Sequence, residues 1–220
     1  MSGLYASPHF PPVRVIKPGL EGGSGDARKL FVVGFDPGGT TGWCVMRINY
    51  EALRYGGLSG VCLAHPDPEL FSWSTGSFSG PTSYHAEQMM ALLRGTWMHG
   101  EGVWDEGGES DLFIVGIESF TLQVMSTSEE LLSPVRVTAA FWALAWRSLF
   151  VPVVKHSPSD AKRTFTDHRM RMFNLWGDQV EDHERDATRQ AMLVARKACE
   201  PGWIRDVAGR MKWLNSDFRL

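Results

Sequence analysis

The chain has 220 residues, 43% of them hydrophobic, with nine Trp and twelve Phe, enough to bury the core of one globular domain. A formal net charge of −3 and a pI near 6.2 argue against a uniformly basic surface of the kind that coats nucleic-acid phosphates. Its three cysteines, Cys44, Cys62 and Cys199, are odd in number and lack metal-ligand spacing, which argues against a disulfide framework.

Residues 1–29 hold four prolines and five glycines with little apolar periodicity, and read as a flexible leader before one domain over 30–220. "KLFVVGFD" then reads as a buried strand, with "GWCVMRI" as its antiparallel partner across the five residues Pro37 to Thr41. Residues 50–68 are rich in Gly and Pro and read as an irregular insertion, with a short strand at "VCLA". "LFSWSTG" is a third strand and "YHAEQMMALLRGTWM" an amphipathic helix, followed by an acidic glycine-rich loop. "LFIVGIE" is an apolar strand. "SPVRVTAAFWALAWRSLF" is a long helix with Pro134 near its first turn, apolar on nearly every face. "VPVVKH" is a short strand, and "SPSDAKRTF" opens a helix with Ser157 as N-cap and Pro158 at its first position. "DHERDATRQAMLVARKA" is a further helix and "WIRDVAGRMKWL" a last one. Hairpins link the first strands and helical crossovers the later ones, so the expected class is α/β: a mixed five-stranded sheet flanked by helices, three antiparallel strands and then parallel ones. No apolar run reaches transmembrane length and the N-terminus lacks a signal-like apolar core, so a cytoplasmic, reducing compartment is the default expectation.

Two strands end in a carboxylate, Asp36 and Glu118, and ligand sites in open α/β sheets lie at the carboxyl ends of strands. On the helix from Asp182, a 100° wheel puts Ala187, Ala191, Val194, Ala195 and Ala198 on one apolar stripe. His183 and Asp186 fall together on a flank of that stripe, where both can face the strand ends, whereas Asp182 lies farther round and is expected in solvent. Three carboxylates and an imidazole repel one another when ionised unless a cation joins them. Oxygen ligands with one nitrogen suit Mg²⁺ or Mn²⁺, and such ions cut phosphodiesters by activating a water and stabilising the leaving oxygen. The charge is also uneven. Residues 101–118 hold six acids and no Lys or Arg, while Lys155, Lys162, Arg163, Arg169 and Arg171, with His156 and His168 nearby, form a basic stretch able to meet phosphates. Trp176 lies among basic residues where it could stack on a base.

"VVGFDPGGTTGWCVM" resembles the opening of RuvC-type Holliday junction resolvases of the ribonuclease H-like superfamily, where an Asp and a Pro-Gly turn precede strand two. "IVGIESF", "SPVRVTAAFWALA", "VPVVKHSPSDAKRTF" and "HERDATRQAM" resemble, in order, that family's strand-four Glu segment, Arg-bearing helix, Lys-bearing helix and His-x-x-Asp-Ala helix, over roughly residues 30–199. The resemblance implies a metal-binding and catalytic set of Asp36, Glu118, His183 and Asp186, with Lys162 near the scissile phosphate or DNA backbone. It places Arg136 near subunit and DNA surfaces, and Phe120 in the neighbourhood of an aromatic that helps open the junction. It further implies crossover-junction cleavage, leaving 5′-phosphate and 3′-hydroxyl ends, in recombination and repair. A four-way junction is two-fold symmetric, so paired cuts call for a homodimer. The leader, the loops at 50–68 and 99–110, and the segment "TDHRMRMFNLWGDQVED" depart from the family pattern.

Other readings stay open. A related metal nuclease would act on flaps, forks or RNA–DNA hybrids, and a non-catalytic relative would only bind DNA. An actin-like or sugar-kinase-like ATPase also opens on an Asp-Gly-Thr hairpin, but needs a second Asp-Gly hairpin and a glycine-rich adenosine loop that this sequence lacks. His183 is open to two roles, metal ligand or orienter of the water.

Overall fold

A computed structural model describes residues 28–63, 67, 69–99, 111–119, 129–148, 151–176 and 180–207. Five strands, β1 (Lys29–Asp36), β2 (Thr41–Asn49), β3 (Phe71–Phe78), β4 (Leu112–Glu118) and β5 (Val153–His156), form one sheet in the order β3-β2-β1-β4-β5. The β1–β2 and β2–β3 pairs are antiparallel, and β1–β4 and β4–β5 are parallel. That order and those directions are the ribonuclease H-like arrangement that the resemblance implied; β1 and β2 form the expected hairpin, but β2 and β3, expected to be linked by a hairpin as well, are joined through a helix over Tyr50–Leu63.

Side chains alternate across a strand, so each strand serves two cores. Phe31, Val33 and Phe35 of β1 pack on one face with Phe113, Val115 and Ile117 of β4, under α2 (His85–His99) and α3 (Glu129–Ser148). Leu30 and Val32, with Leu112 and Ile114, pack on the other, under α6 (Asp182–Ala198), α1 (Tyr50–Leu63), α4 (Pro158–Thr164) and α5 (Asp167–Met172). By the same parity Asp36 and Glu118 point to the α6 face. The apolar stripe expected on α6 is buried along its length, through Ala187, Ala191, Val194, Ala195 and Ala198.

Several elements differ from expectation. Residues 50–63 are helical, and no strand forms over residues 61–63 of "VCLA". Asn49 Oδ1 accepts the Ala52 N–H at 3.0 Å, and Leu53, Leu58 and Val61 insert into the core. Gly57 breaks the helix, with φ 63° and ψ −178°, and the surrounding glycines blur the period in the sequence. The long helix begins at Glu129, so Pro134 lies inside it rather than in its first turn. Nor is that helix buried all round: Ala139, Ala140, Ala143 and Leu144 are exposed while Val137, Phe141 and Ala145 are buried. Asp167–Met172 forms a short helix that Thr166 caps, in a stretch too short to show a helical period. Ser157 does cap α4, accepting the Asp160 N–H at 3.2 Å. Only 203–207 of the last expected helix are described, and they are helical. The leader, apart from Arg28 and Lys29, lies outside the described residues, as do Phe120 and 100–110 of the acidic loop. Among the described residues no helix is long and apolar enough to cross a membrane.

Candidate active site

Three glycines seat α6 directly on the sheet. A Cβ at Gly42 would lie 2.0 Å from the His183 carbonyl oxygen, and one at Gly34 would lie 2.2 Å from that of Ala187. A Cβ at Gly116, the register partner of Gly34, would meet the Val194 side chain at 2.7 Å. Without side chains at Gly34 and Gly42, helix backbone touches strand backbone, and the first two turns of α6 are pinned over the ends of β1 and β2. The turn between those strands is fixed as well. Thr41 Oγ1 accepts the Gly38 N–H at 3.4 Å and shares a 2.9 Å hydrogen bond with the buried His85 ring.

This seating brings the expected acidic residues together. Asp36, only 7% exposed, closes β1, and its Oδ2 is 2.8 Å from His183 Nδ1. Glu118 closes β4 one register step beyond the Phe35–Ile117 pair, and its Oε2 accepts from Gln190 Nε2 at 3.3 Å. Asp186, one turn into α6, is gripped on both oxygens: Oδ2 by Lys162 Nζ at 2.8 Å and Oδ1 by Arg189 Nη1. Asp182 is exposed, as its place on the helical wheel required.

The charges perturb one another. Burial, then the charges of Asp36 and Asp186, push the Glu118 carboxyl up to about 7, against the smaller pull of Gln190 and Lys162. Burial also raises Asp36, although its hydrogen bond from His183 opposes the shift. That same bond, to a carboxylate, raises the His183 imidazole, and the contact with Asp186 raises Lys162. The cluster thus holds more negative charge than its burial favours. Among the described residues no three His, Cys, Asp or Glu side chains already converge as they would around an ion.

The basic residues divide. Lys162 belongs to the cluster. Arg163 is exposed and pairs with Asp160 at 2.8 Å, and Arg169 donates from Nη1 to the Thr164 carbonyl. Arg171 lies over the Trp176 ring, 4.8 Å from its centroid; Arg185 and Arg189 also approach that ring. The Trp176 faces are therefore engaged by guanidinium groups of the protein itself. Lys155 points to the α3 face, over Trp142, in a groove of about 410 Å³ that starts at Ser119 beside Glu118. Arg136 is exposed on α3. His168 is exposed, but His156 is not a surface group: it is 4% exposed, and burial pulls its imidazole down to about 4, so it is neutral. Sequence reasoning missed Arg189 and Gln190. Each had a signal, because Arg189 is three residues and Gln190 four residues after Asp186 on one helix.

The chain thus has a ribonuclease H-like α/β fold, with an acidic cluster where β1, β4 and α6 meet. No protein-family model matches it, and no curated protein matches it. Among solved structures, T. thermophilus RuvC in complex with a Holliday junction substrate aligns over 83% of this chain and 96% of that one, at 15% identity and a TM-score of 0.44.

Proposed function

We propose that this chain is a divalent-metal-dependent nuclease that cuts branched DNA, four-way junctions first among its substrates. The carrying observation is the meeting of Asp36, Glu118, Asp186 and His183 at the carboxyl ends of two parallel strands. Burial, and after it their mutual repulsion, pushes Glu118 up to about 7 and raises Asp36, and a bound cation would offset both. The five motifs in family order support the same reading.

The donor set fits a hard ion such as Mg²⁺ or Mn²⁺: three carboxylates and one imidazole, without thiolate. Asp36, Glu118 and Asp186 would hold it, with His183 either joining them or orienting the water. Such an ion, when bound, supplies Lewis acidity toward the phosphate and lowers the pKa of the attacking water. Lys162 carries a mobile positive charge beside the cluster, suited to the negative charge that builds on the phosphate during in-line attack. Arg163, Arg169 and Arg171 lie on the adjoining α4–α5 surface, and Lys155 in the groove beyond Ser119. They can hold the backbone of the DNA arms without reading bases. Cleavage by this chemistry leaves 5′-phosphate and 3′-hydroxyl ends, and symmetric cuts require two copies of the chain.

The test is a substrate panel. Purified protein with Mg²⁺ or Mn²⁺ is incubated with a synthetic four-way junction, a flap, a fork, an RNA–DNA hybrid and a linear duplex. Junction cleavage well above duplex cleavage is expected. Cleavage of the flap, fork or hybrid but not the junction would overturn the junction assignment, and no metal-dependent cleavage of any substrate would overturn the nuclease assignment.

A further inference from the structure

Asp186 is held by two cations of the protein, and the two differ in how firmly they are fixed. Arg189 is 9% exposed in its side chain and has three anchors besides Asp186. Its Nε donates to the Phe165 carbonyl at 3.0 Å, its Nη2 to Asp167 Oδ1, and its guanidinium lies 5.6 Å from the Trp176 ring centroid. Lys162 is 55% exposed, and the ion pair from its Nζ to Asp186 Oδ2 is its one such pairing among the described residues. Its flexible stem lets the ammonium leave into water at little cost, whereas the guanidinium of Arg189 has nowhere to go.

From this contrast, and resting on the metal-nuclease reading above, we infer that Lys162 is the counter-ion that holds the metal's place on Asp186. A divalent ion enters by displacing the Lys162 ammonium from Oδ2, while Arg189 keeps Oδ1. The displacement has two consequences. Asp186 offers the ion a single, pre-aimed oxygen, because rotation of its carboxylate would break the fixed Arg189 bond. The released ammonium, still tethered to α4 beside the cluster, is then free to meet a phosphate. Lys162 thereby couples phosphate engagement to metal occupancy.

Loss of Lys162 should therefore tighten metal binding. Mn²⁺ is titrated into the DNA-free protein and free Mn²⁺ is followed by its electron paramagnetic resonance signal. Lys162→Met is expected to bind Mn²⁺ about three- to fivefold more tightly than the wild type, the affinity gain from removing one competing, partly exposed ion pair. Arg163→Met loses the same charge from the next position of α4, but from a side chain paired with Asp160. It is expected to stay within about twofold of the wild type, which separates displacement from a general charge effect. Lys162 acetylation by a water-soluble reagent, read by mass spectrometry, should also speed up when Mn²⁺ is added. Unchanged or weaker Mn²⁺ binding by Lys162→Met, or equal tightening by Arg163→Met, would overturn the displacement. Absence of Mn²⁺ binding in all three proteins would overturn the metal-nuclease reading on which it rests.

Discussion

Gly42→Ala tests how the cluster is assembled. The added methyl would sit 2.0 Å from the His183 carbonyl oxygen, 2.2 Å from its carbonyl carbon and 2.8 Å from the Glu184 nitrogen, all backbone atoms of α6. Carbon and oxygen do not pack closer than about 3 Å, so the start of α6 must withdraw by about 1 Å. Forcing such a shift costs about 1–3 kcal/mol, offset by roughly 0.5 kcal/mol of unfolded-state entropy lost when Gly becomes Ala. In a chain of this size a net loss of ~2 kcal/mol lowers the melting temperature by about 4–8 °C. The shift also draws His183 and Asp186 away from Asp36, and a displacement of that size at a reacting centre can lower turnover on the order of 100-fold. Gly39→Ala is the control: nothing lies within 4 Å of its Cβ position and its φ is not left-handed, so stability should hold or rise slightly. Urea unfolding at constant m-value and the rate of junction cleavage in Mn²⁺ measure the two effects. If Gly42→Ala matches the wild type in both, α6 is not positioned by backbone contact with β2 and the site is assembled in some other way.

Two further outcomes follow from the electrostatics. In the metal-free protein, folded Glu118 keeps its proton to about pH 7 while the unfolded chain loses it near 4.5. The folded state therefore binds more protons between those values, and stability falls as pH rises through that window. Roughly 1–2 kcal/mol is expected after allowance for partial solvent screening, measured as the drop in urea midpoint from pH 4.5 to 7.5. Glu118→Gln should flatten that drop, and a drop unchanged in the variant would remove Glu118 as its source. Replacing Arg163 and Arg169 together by Gln should leave stability within about 1 kcal/mol, because both are exposed. The same change should weaken binding to junctions of every sequence. It should also lower the salt slope of log K by about one unit for each phosphate no longer neutralised, read by fluorescence anisotropy across salt concentrations.

Much of the site was legible because period-two strands fix which way a terminal residue points. Once Leu30 and Val32 face one core and Phe31 and Val33 the other, Asp36 can face only the side that α6 covers, and Glu118 follows by the same parity. The α6 boundaries were legible from an alanine-rich stripe with few competing apolar residues. What was not legible depended on packing between elements distant in sequence. The spacing of Arg189 from Asp186 hinted at their pairing, but its burial was not legible, because Arg189 lies opposite that stripe on an isolated wheel and reads as a solvated charge. It is buried because Phe165, Asp167 and Trp176, from segments 13 or more positions earlier, close over it. Helix α1 was hidden by its glycines, whose low helix propensity is overridden by the insertion of Leu53, Leu58 and Val61 into the core. His156 lies in a run of basic residues, yet strand parity turns it inward toward Gln190 while its neighbour Lys155 points out.

The central claim is that Asp36 and its neighbours hold a divalent ion to cut DNA, and one comparison tests it most directly. Wild type and Asp36→Asn are incubated with an end-labelled four-way junction in Mn²⁺ and in EDTA, with junction binding measured in parallel. The wild type is expected to nick the junction in Mn²⁺ alone, and Asp36→Asn to bind it without nicking. Undiminished cutting by Asp36→Asn, or cutting that persists in EDTA, would contradict the claim.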